Sequence, residues 1–270
     1  MKAIKDKIKR KILAYRQKLL ELFKKIFDRI MILLLVYPIG LLLAILFILF
    51  RFFGRIRIVH PERFPHNQGK IIIVSNHPSL LEPILLPVMC YRGYLRHPLT
   101  RIPISTPDKK NYLGSPYWHW LLKYAAVAIN RENEQEKIKA IRKLVKILKL
   151  NGIVIIFGEG GRTEKGKDFF HSPKGKGKIR PLQEGISSLI RITNPLVVPL
   201  WVEIEKKTPM DSSDKVYFNS LIFMFFVLLW KKITIKIGEP LRFQRPEVNS
   251  REGITQKLIT TLLNLADEEE

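Results

Sequence analysis

The 270-residue chain has a single cysteine, Cys90, so it can form neither an intramolecular disulfide nor a cysteine-based zinc site. Acidic residues are also few: 24 Asp and Glu stand against 47 Lys and Arg, a formal net charge of +23. So basic a chain implies an anionic partner, whether nucleic acid, anionic lipid or a phosphorylated substrate. There is no Gly-x-Ser-x-Gly elbow to support a serine hydrolase. Neither the Walker phosphate loop nor the Rossmann glycine pattern occurs. No group of His, Asp and Glu has metal-ligand spacing, so no metal is expected, and no nucleic-acid module signature is present. Apolar residues, by contrast, make up 46% of the chain, which excludes a disordered polypeptide. The length suits one enzyme-sized domain, or a domain plus an anchor.

The charge is unevenly placed. Residues 1–29 hold eleven Lys/Arg and three acids (Asp6, Glu21, Asp28), so +8 of the +23 lies there. Ile8, Ile12, Leu13, Tyr15, Leu19, Leu20, Leu22, Phe23, Ile26 and Phe27 form a helical stripe between the basic rows. That is the pattern of a helix lying on an anionic membrane surface. Ile30 to Phe50 follows, 21 residues without a charge, enough to cross a hydrocarbon core of about 30 Å. A signal peptide is disfavoured by the 29 residues before the run and by the missing small-residue cleavage site after it. Arg29 flanks one end and Arg51, Arg55 and Arg57 the other, while Pro38 and Gly40 sit mid-span. A re-entrant hairpin is slightly preferred to a simple crossing, because it puts both basic flanks on one anionic face. Residues 1–55 are thus expected to form a membrane-associated segment, and 56–270 the functional domain.

Within 56–270, Ile71–Val74, Ala125–Ile129, Ile153–Phe157, Leu196–Val202 and Ile233–Ile237 read as strands. Ile138, Ile141, Leu144, Val145 and Leu148 form one helical face between Glu132 and Leu150, stopped by Asn151-Gly152. Strands separated by helices imply an α/β fold: a layered domain with a central mostly parallel or mixed sheet flanked by helices, behind the N-terminal helical segment. The ten-residue run Leu221–Trp230 is too short to span a bilayer and reads as core, or as a patch dipping into a membrane.

His60, His66, His97, His119 and His171 have no acid at a telling spacing. His77 follows a strand, precedes Pro78 and has Glu82 five positions on. Pro78 suits a first helical turn, which places His77 at a helix N-terminus, where the dipole favours the neutral imidazole. A carboxylate one turn along can then orient the ring. Such pairs also arise by chance. A second constellation, Phe157-Gly158-Glu159-Gly160-Gly161-Arg162-Thr163, follows a buried strand. Its glycines allow close backbone approach to a ligand, and Arg162 offers a bidentate fork for phosphate. Glu159 would repel a bare polyphosphate, and the alternative is a basic loop turn. Arg131 is either a second anion contact or a helix cap. The stretch Lys165 to Arg180 is a flexible basic loop, either solvated or lining an entrance for anionic lipid or donor.

Taken in order, these blocks resemble the glycerolipid acyltransferase family, whose best-known members acylate lysophosphatidic acid. Asn76-His77-Pro78-Ser79-Leu80-Leu81-Glu82-Pro83 is similar to its first block, AAVAINR at 125–131 to its second, FGEGGRT at 157–163 to its third and Val198-Pro199-Leu200 to its fourth. Gly185 and Gly238-Glu239-Pro240 also sit where that family commonly has glycines, and the resemblance covers roughly 56–245. Four ordered blocks are far more specific than any one alone.

The resemblance implies a catalytic pair, His77 and Glu82, with Asn76, Arg131, Glu159, Gly160, Gly161 and Arg162 binding substrate. It implies a membrane-bound enzyme moving an acyl group from acyl-CoA or acyl carrier protein to a lysophospholipid hydroxyl, without metal or bound cofactor. Anionic lipid, lysophospholipid acceptor and acyl donor are its expected partners, with the active domain on the cytoplasmic face. There are departures: Glu82 stands for aspartate, Ala125, Ala128 and Asn130 change the second block, and Gly158 and Gly161 change the third. They bear on acceptor identity more than on reaction type. Two rivals remain: a degraded relative that only binds membrane or lipid, and a membrane-tethered nucleic-acid binder. The location of the charge counts against the second.

Overall fold

The computed structural model describes the chain apart from Met1, Leu80, Pro98, Thr100, 110–122, Gly166, 206–230, 245–249 and Glu270. The expected apolar run Leu221–Trp230 lies outside the described residues.

The N-terminal segment is one unbroken helical run: α1 (Lys2–Met31), a five-residue π-helical stretch at Ile32–Val36, and α2 (Tyr37–Phe52). The hairpin expected at Pro38–Gly40 does not form. Proline lacks an N–H and its ring clashes with the carbonyl four residues back in an α-helix. Here the Tyr37 N–H bonds to the Ile32 carbonyl, five residues back, so the wider turn takes in the ring without reversing the chain. The helix Lys11–Phe52 is long and apolar enough to cross a membrane by length and composition, its most apolar window having mean hydropathy 3.0. One stripe of α2 docks on the domain: Ala44 and Phe47 are buried in the core, with Leu43 and Phe50 beside them. Leu41, Leu42, Ile45, Ile48 and Leu49 face outward.

The domain is built on a six-stranded mixed sheet of β1 (Ile56–Val59), β2 (Ile71–Ser75), β3 (Pro103–Ser105), β4 (Ile153–Phe157), β7 (Leu196–Ile204) and β8 (Ile233–Ile237). The order is β1-β8-β7-β2-β4-β3. Strands β7, β2, β4 and β3 are mutually parallel, β8 runs against β7, and β1 is parallel to β8. Central β2 has Ile71, Ile72, Ile73 and Val74 wholly buried, as a strand covered on both faces requires. Ile71 and Ile73 point into a core shared with α2, α3 (Glu82–Met89) and Cys90. Burial pushes the Cys90 thiol up, which removes it as a nucleophile. Ile72 and Val74 point into the opposite core, shared with α5 (Glu134–Lys149), α6 (Gly185–Thr193) and α7 (Arg251–Asp267). A short α4 (Tyr91–Arg96) follows α3.

Helix α5 runs where expected. Asn133 caps it by accepting the Glu136 N–H, and Asn151, at φ +60°, ends it. Its buried face is Ala140, Leu144 and Leu148, whereas Ile138 is exposed. Ala125–Ile129 makes only isolated bridges, Ala126 to Ser105 and Ile129 to Asp108 at the sheet edge, rather than a strand. Part of the basic stretch 165–180 is a hairpin, β5 (Phe170–His171) with β6 (Lys178–Ile179), and not a free loop. Asp267, at the end of α7, accepts from the Ser172 hydroxyl at 2.7 Å and the Lys174 N–H at 2.6 Å, clamping this hairpin to the domain.

Candidate active site

Strands β2 and β4 are adjacent and parallel, with Ser75 opposite Phe157 in register. Their carboxyl ends therefore release two segments side by side, Asn76–Ser79 and Gly158–Thr163, at the edge where open α/β sheets place ligands. The Thr163 N–H donates to the His77 carbonyl at 2.9 Å and stitches the segments together.

His77 Nδ1 lies 2.9 Å from Glu82 Oε2. The carboxylate is fully buried, the imidazole 14% exposed. The extra methylene of glutamate is thus accommodated and the ring contact forms. With Nδ1–H donated to Glu82, Nε2 carries the free lone pair. The ring stacks on Phe157, centroids 4.5 Å apart, which limits its rotation.

Helix α3 begins at Glu82, with Pro83 rather than Pro78 in its first turn. The expectation that His77 borders the helix N-terminus is therefore corrected. The start is held back by Ser79, whose hydroxyl donates to Glu82 Oε1 at 2.6 Å and whose N–H donates to Oε2 at 3.1 Å. The Ser79 Oγ in turn accepts the Leu81 N–H at 3.0 Å. Glu82 reaching back to the Ser79 N–H is half of a capping box. The Ser-x-x-Glu spacing was legible at 79–82, and it marks Ser79 as a residue the motif reading passed over.

Asn76 is buried and its amide works as an extra peptide unit. Its Nδ2 donates to the Val202 carbonyl at 2.9 Å and its Oδ1 accepts the Val202 N–H at 2.8 Å. The β2–β7 ladder thereby continues one step beyond Ser75, fixing where the chain turns toward His77. Asn76→Ala is expected to cost about 2–5 kcal/mol, because two buried backbone groups lose their partners. Urea unfolding measures this loss, and an unchanged midpoint would contradict it.

Glu159 is 1% exposed and turned inward. Its Oε1 accepts the His77 N–H at 2.9 Å and the Thr163 hydroxyl at 2.6 Å, and its Oε2 accepts the Arg180 N–H at 3.1 Å. Burial pushes its carboxyl above the ordinary value, although the Thr163, Arg180 and His77 donors pull the other way. Gly160 has φ +71°, a conformation that favours glycine. Gly158 is tight: a Cβ there would fall 2.6 Å from Leu182 Cδ2.

Of the two arginines singled out by sequence, Arg162 is buried at 6% exposure. Arg131 lies with its side chain 44% exposed and its Nε 3.4 Å from Asp108 Oδ2. A histidine with an oriented imidazole and a second ring nitrogen left to act, beside a glycine turn carrying Arg162, can do general-base work on a hydroxyl near an anion.

The family model described as Acyltransferase matches residues 55–203, more than half of the chain. The chain belongs to the acyltransferase family. It is accordingly an acyltransferase, as the four ordered blocks implied. No curated protein sequence matches it. Among solved structures, the 1-acyl-sn-glycerophosphate (LPA) acyltransferase PlsC from Thermotoga maritima is similar, with 18% identity, a TM-score of 0.44, and 77% of this chain and 72% of that chain covered. Within this acyltransferase, the matched span contains both segments that meet at the ends of β2 and β4.

Proposed function

We propose that this acyltransferase works at a membrane and moves a fatty acyl group from a thioester, on CoA or acyl carrier protein, to the hydroxyl of a lysophospholipid such as lysophosphatidic acid. The contact between His77 Nδ1 and buried Glu82 carries the reading. His77 Nε2 takes the proton of the acceptor hydroxyl as its oxygen attacks the thioester carbonyl. The tetrahedral intermediate then collapses, the C–S bond breaks, and the imidazolium returns the proton to the departing thiolate. Glu82 holds the ring tautomer and stabilises the developing charge. His77, Glu82, a glycine turn carrying Arg162 and the order of the blocks support a glycerolipid acceptor.

The long apolar helix and the exposed row Leu19, Leu20, Phe23, Ile26 and Phe27 among its lysines support attachment to an anionic leaflet. We place the domain on the cytoplasmic face, where both donor types are available. Acyl transfer of this kind needs no metal or bound cofactor.

The test is product analysis of the purified full chain with labelled acyl-CoA or acyl carrier protein and a panel of lysolipids in mixed micelles. Acylation of lysophosphatidic acid or another lysophospholipid is the expected result. No product from any acceptor with either donor would instead favour a relative that binds lipid without chemistry.

A further inference from the structure

We propose that Arg180, at the exit of the β5–β6 hairpin, is the guanidinium that receives the phosphate of the acceptor, over the glycine turn beside Arg162. The proposal rests on the lysophospholipid reading. An acceptor phosphate needs a cation that is both held in place and reachable. Arg131 is reachable but is pulled toward Asp108, and Arg162 is held but almost wholly enclosed. Arg180 is half-buried and fulfils both conditions.

Its backbone is indexed to the site by Glu159, whose two oxygens hold the Arg180 N–H at 3.1 Å and the His77 N–H at 2.9 Å. One rigid carboxylate therefore sets the separation between the base and the Arg180 backbone. Its side chain lies across the turn: a Cβ on Gly161 would be 3.0 Å from Arg180 Nη1, so the bare glycine gives the guanidinium its place. Among the described residues this guanidinium meets a backbone carbonyl, that of Arg162 at 3.4 Å, rather than a carboxylate. That bond is long, and a guanidinium has five donors, so most of the fork is open to an anion. Glu159 does not oppose a phosphate here, because its oxygens face internal donors. Neighbouring Lys178 is drawn aside, to Glu164 at 3.5 Å and over the Phe169 ring.

The experiment compares wild type, Arg180→Gln and Arg180→Lys in the full-length protein. Both variants keep the backbone N–H to Glu159, so a change reports the guanidinium and not the placing of His77. For Arg180→Gln the KM for lysophosphatidic acid is expected to rise about 10- to 100-fold, more than kcat falls, with the acyl-CoA KM unchanged. Arg180→Lys should recover part of this, since lysine keeps the charge and loses the fork. The second measurement is 31P titration of lysophosphatidate in micelles, which needs no turnover and should show the same weakening.

A KM within about twofold of wild type together with unchanged binding would overturn the proposal, as would a rise confined to the acyl-CoA KM. If wild type binds lysophosphatidate and Arg180→Gln weakens it, yet no acyl transfer occurs, the lysophospholipid acyltransferase reading falls and the anion site stands. If wild type acylates and neither variant changes KM or binding, the anion site falls and that reading stands.

Discussion

His77→Ala is expected to lower kcat by about 10²–10⁴-fold, the usual worth of a general base. The imidazole is the group whose proton acceptor, Nε2, is left free once Nδ1 contacts Glu82, and it sits between the two segments that β2 and β4 release. The fold loses the stacking on Phe157, about 0.5–1.5 kcal/mol beyond its area, and one of the three donors to buried Glu82, which keeps its two Ser79 bonds. The backbone bonds of residue 77 to Glu159 and Thr163 survive the substitution. Micelle binding should therefore stay near wild type and the protein should remain folded, with a lowered thermal midpoint, while turnover collapses. Robust residual acyl transfer would sink the general-base assignment.

The second large effect concerns Glu82. Its carboxylate has no solvent exposure and meets His77 Nδ1, the Ser79 hydroxyl and the Ser79 N–H. In Glu82→Gln one oxygen becomes an NH₂, which sets donor against donor at His77 or at Ser79. The tautomer that leaves Nε2 free then loses its support, and kcat should fall by about 10²–10⁴-fold.

Glu82→Asp keeps the charge but withdraws it by about 1.5 Å, one C–C bond, from a His77 contact that is 2.9 Å long. The Ser79 bonds end on the same carboxylate, so they are stretched together with the His77 contact unless the loop readjusts. About a tenfold loss of kcat, with KM for the acceptor much less changed, is the expected outcome. A rate equal to or above wild type would show that the loop readjusts and that the site is not built around the longer acid. Ser79→Ala separates the two ideas: if the serine holds Glu82 in place, it should depress kcat in the same direction.

Much of the scaffold was legible because periodicity reports burial directly. Ile71–Val74 and Ile153–Phe157 read as strands and are β2 and β4, because a sheet buried on both faces needs continuous apolar residues. Ile233–Ile237, which is β8, read as a strand from its alternation of apolar and polar residues. The stop at Asn151-Gly152 was legible because a left-handed residue there suits few side chains. The His77 and Glu82 pair was legible because both lie within one short segment. Ala125–Ile129 read as a strand and makes only edge bridges, since apolar composition does not say whether a partner strand exists.

Direction in space was the part not legible. Asn76 meets Val202, 126 residues away, and His77 meets Glu159, 82 residues away. No local pattern encodes which distant backbone a polar side chain will satisfy. Glu159 read as a charge facing substrate and turns inward, while Arg180, one cation among many in a basic stretch, lies over Gly161. Pro38 read as a hinge, yet a single wide turn keeps the helix continuous, an adjustment of backbone hydrogen bonds that composition does not reveal.

By itself, then, the sequence determined the chemical inventory: a long basic and apolar N-terminal helix, an α/β domain, and a histidine with its acid, because composition and short-range spacing carry that information. Only the tertiary structure decided which charges face each other, with Asp108 drawing on Arg131, three internal donors closing around Glu159, and Arg180 left over the glycine turn. The reason is physical: pairing is set by distance and burial at the ends of β2 and β4, where segments 82 residues apart in the chain come within hydrogen-bond reach.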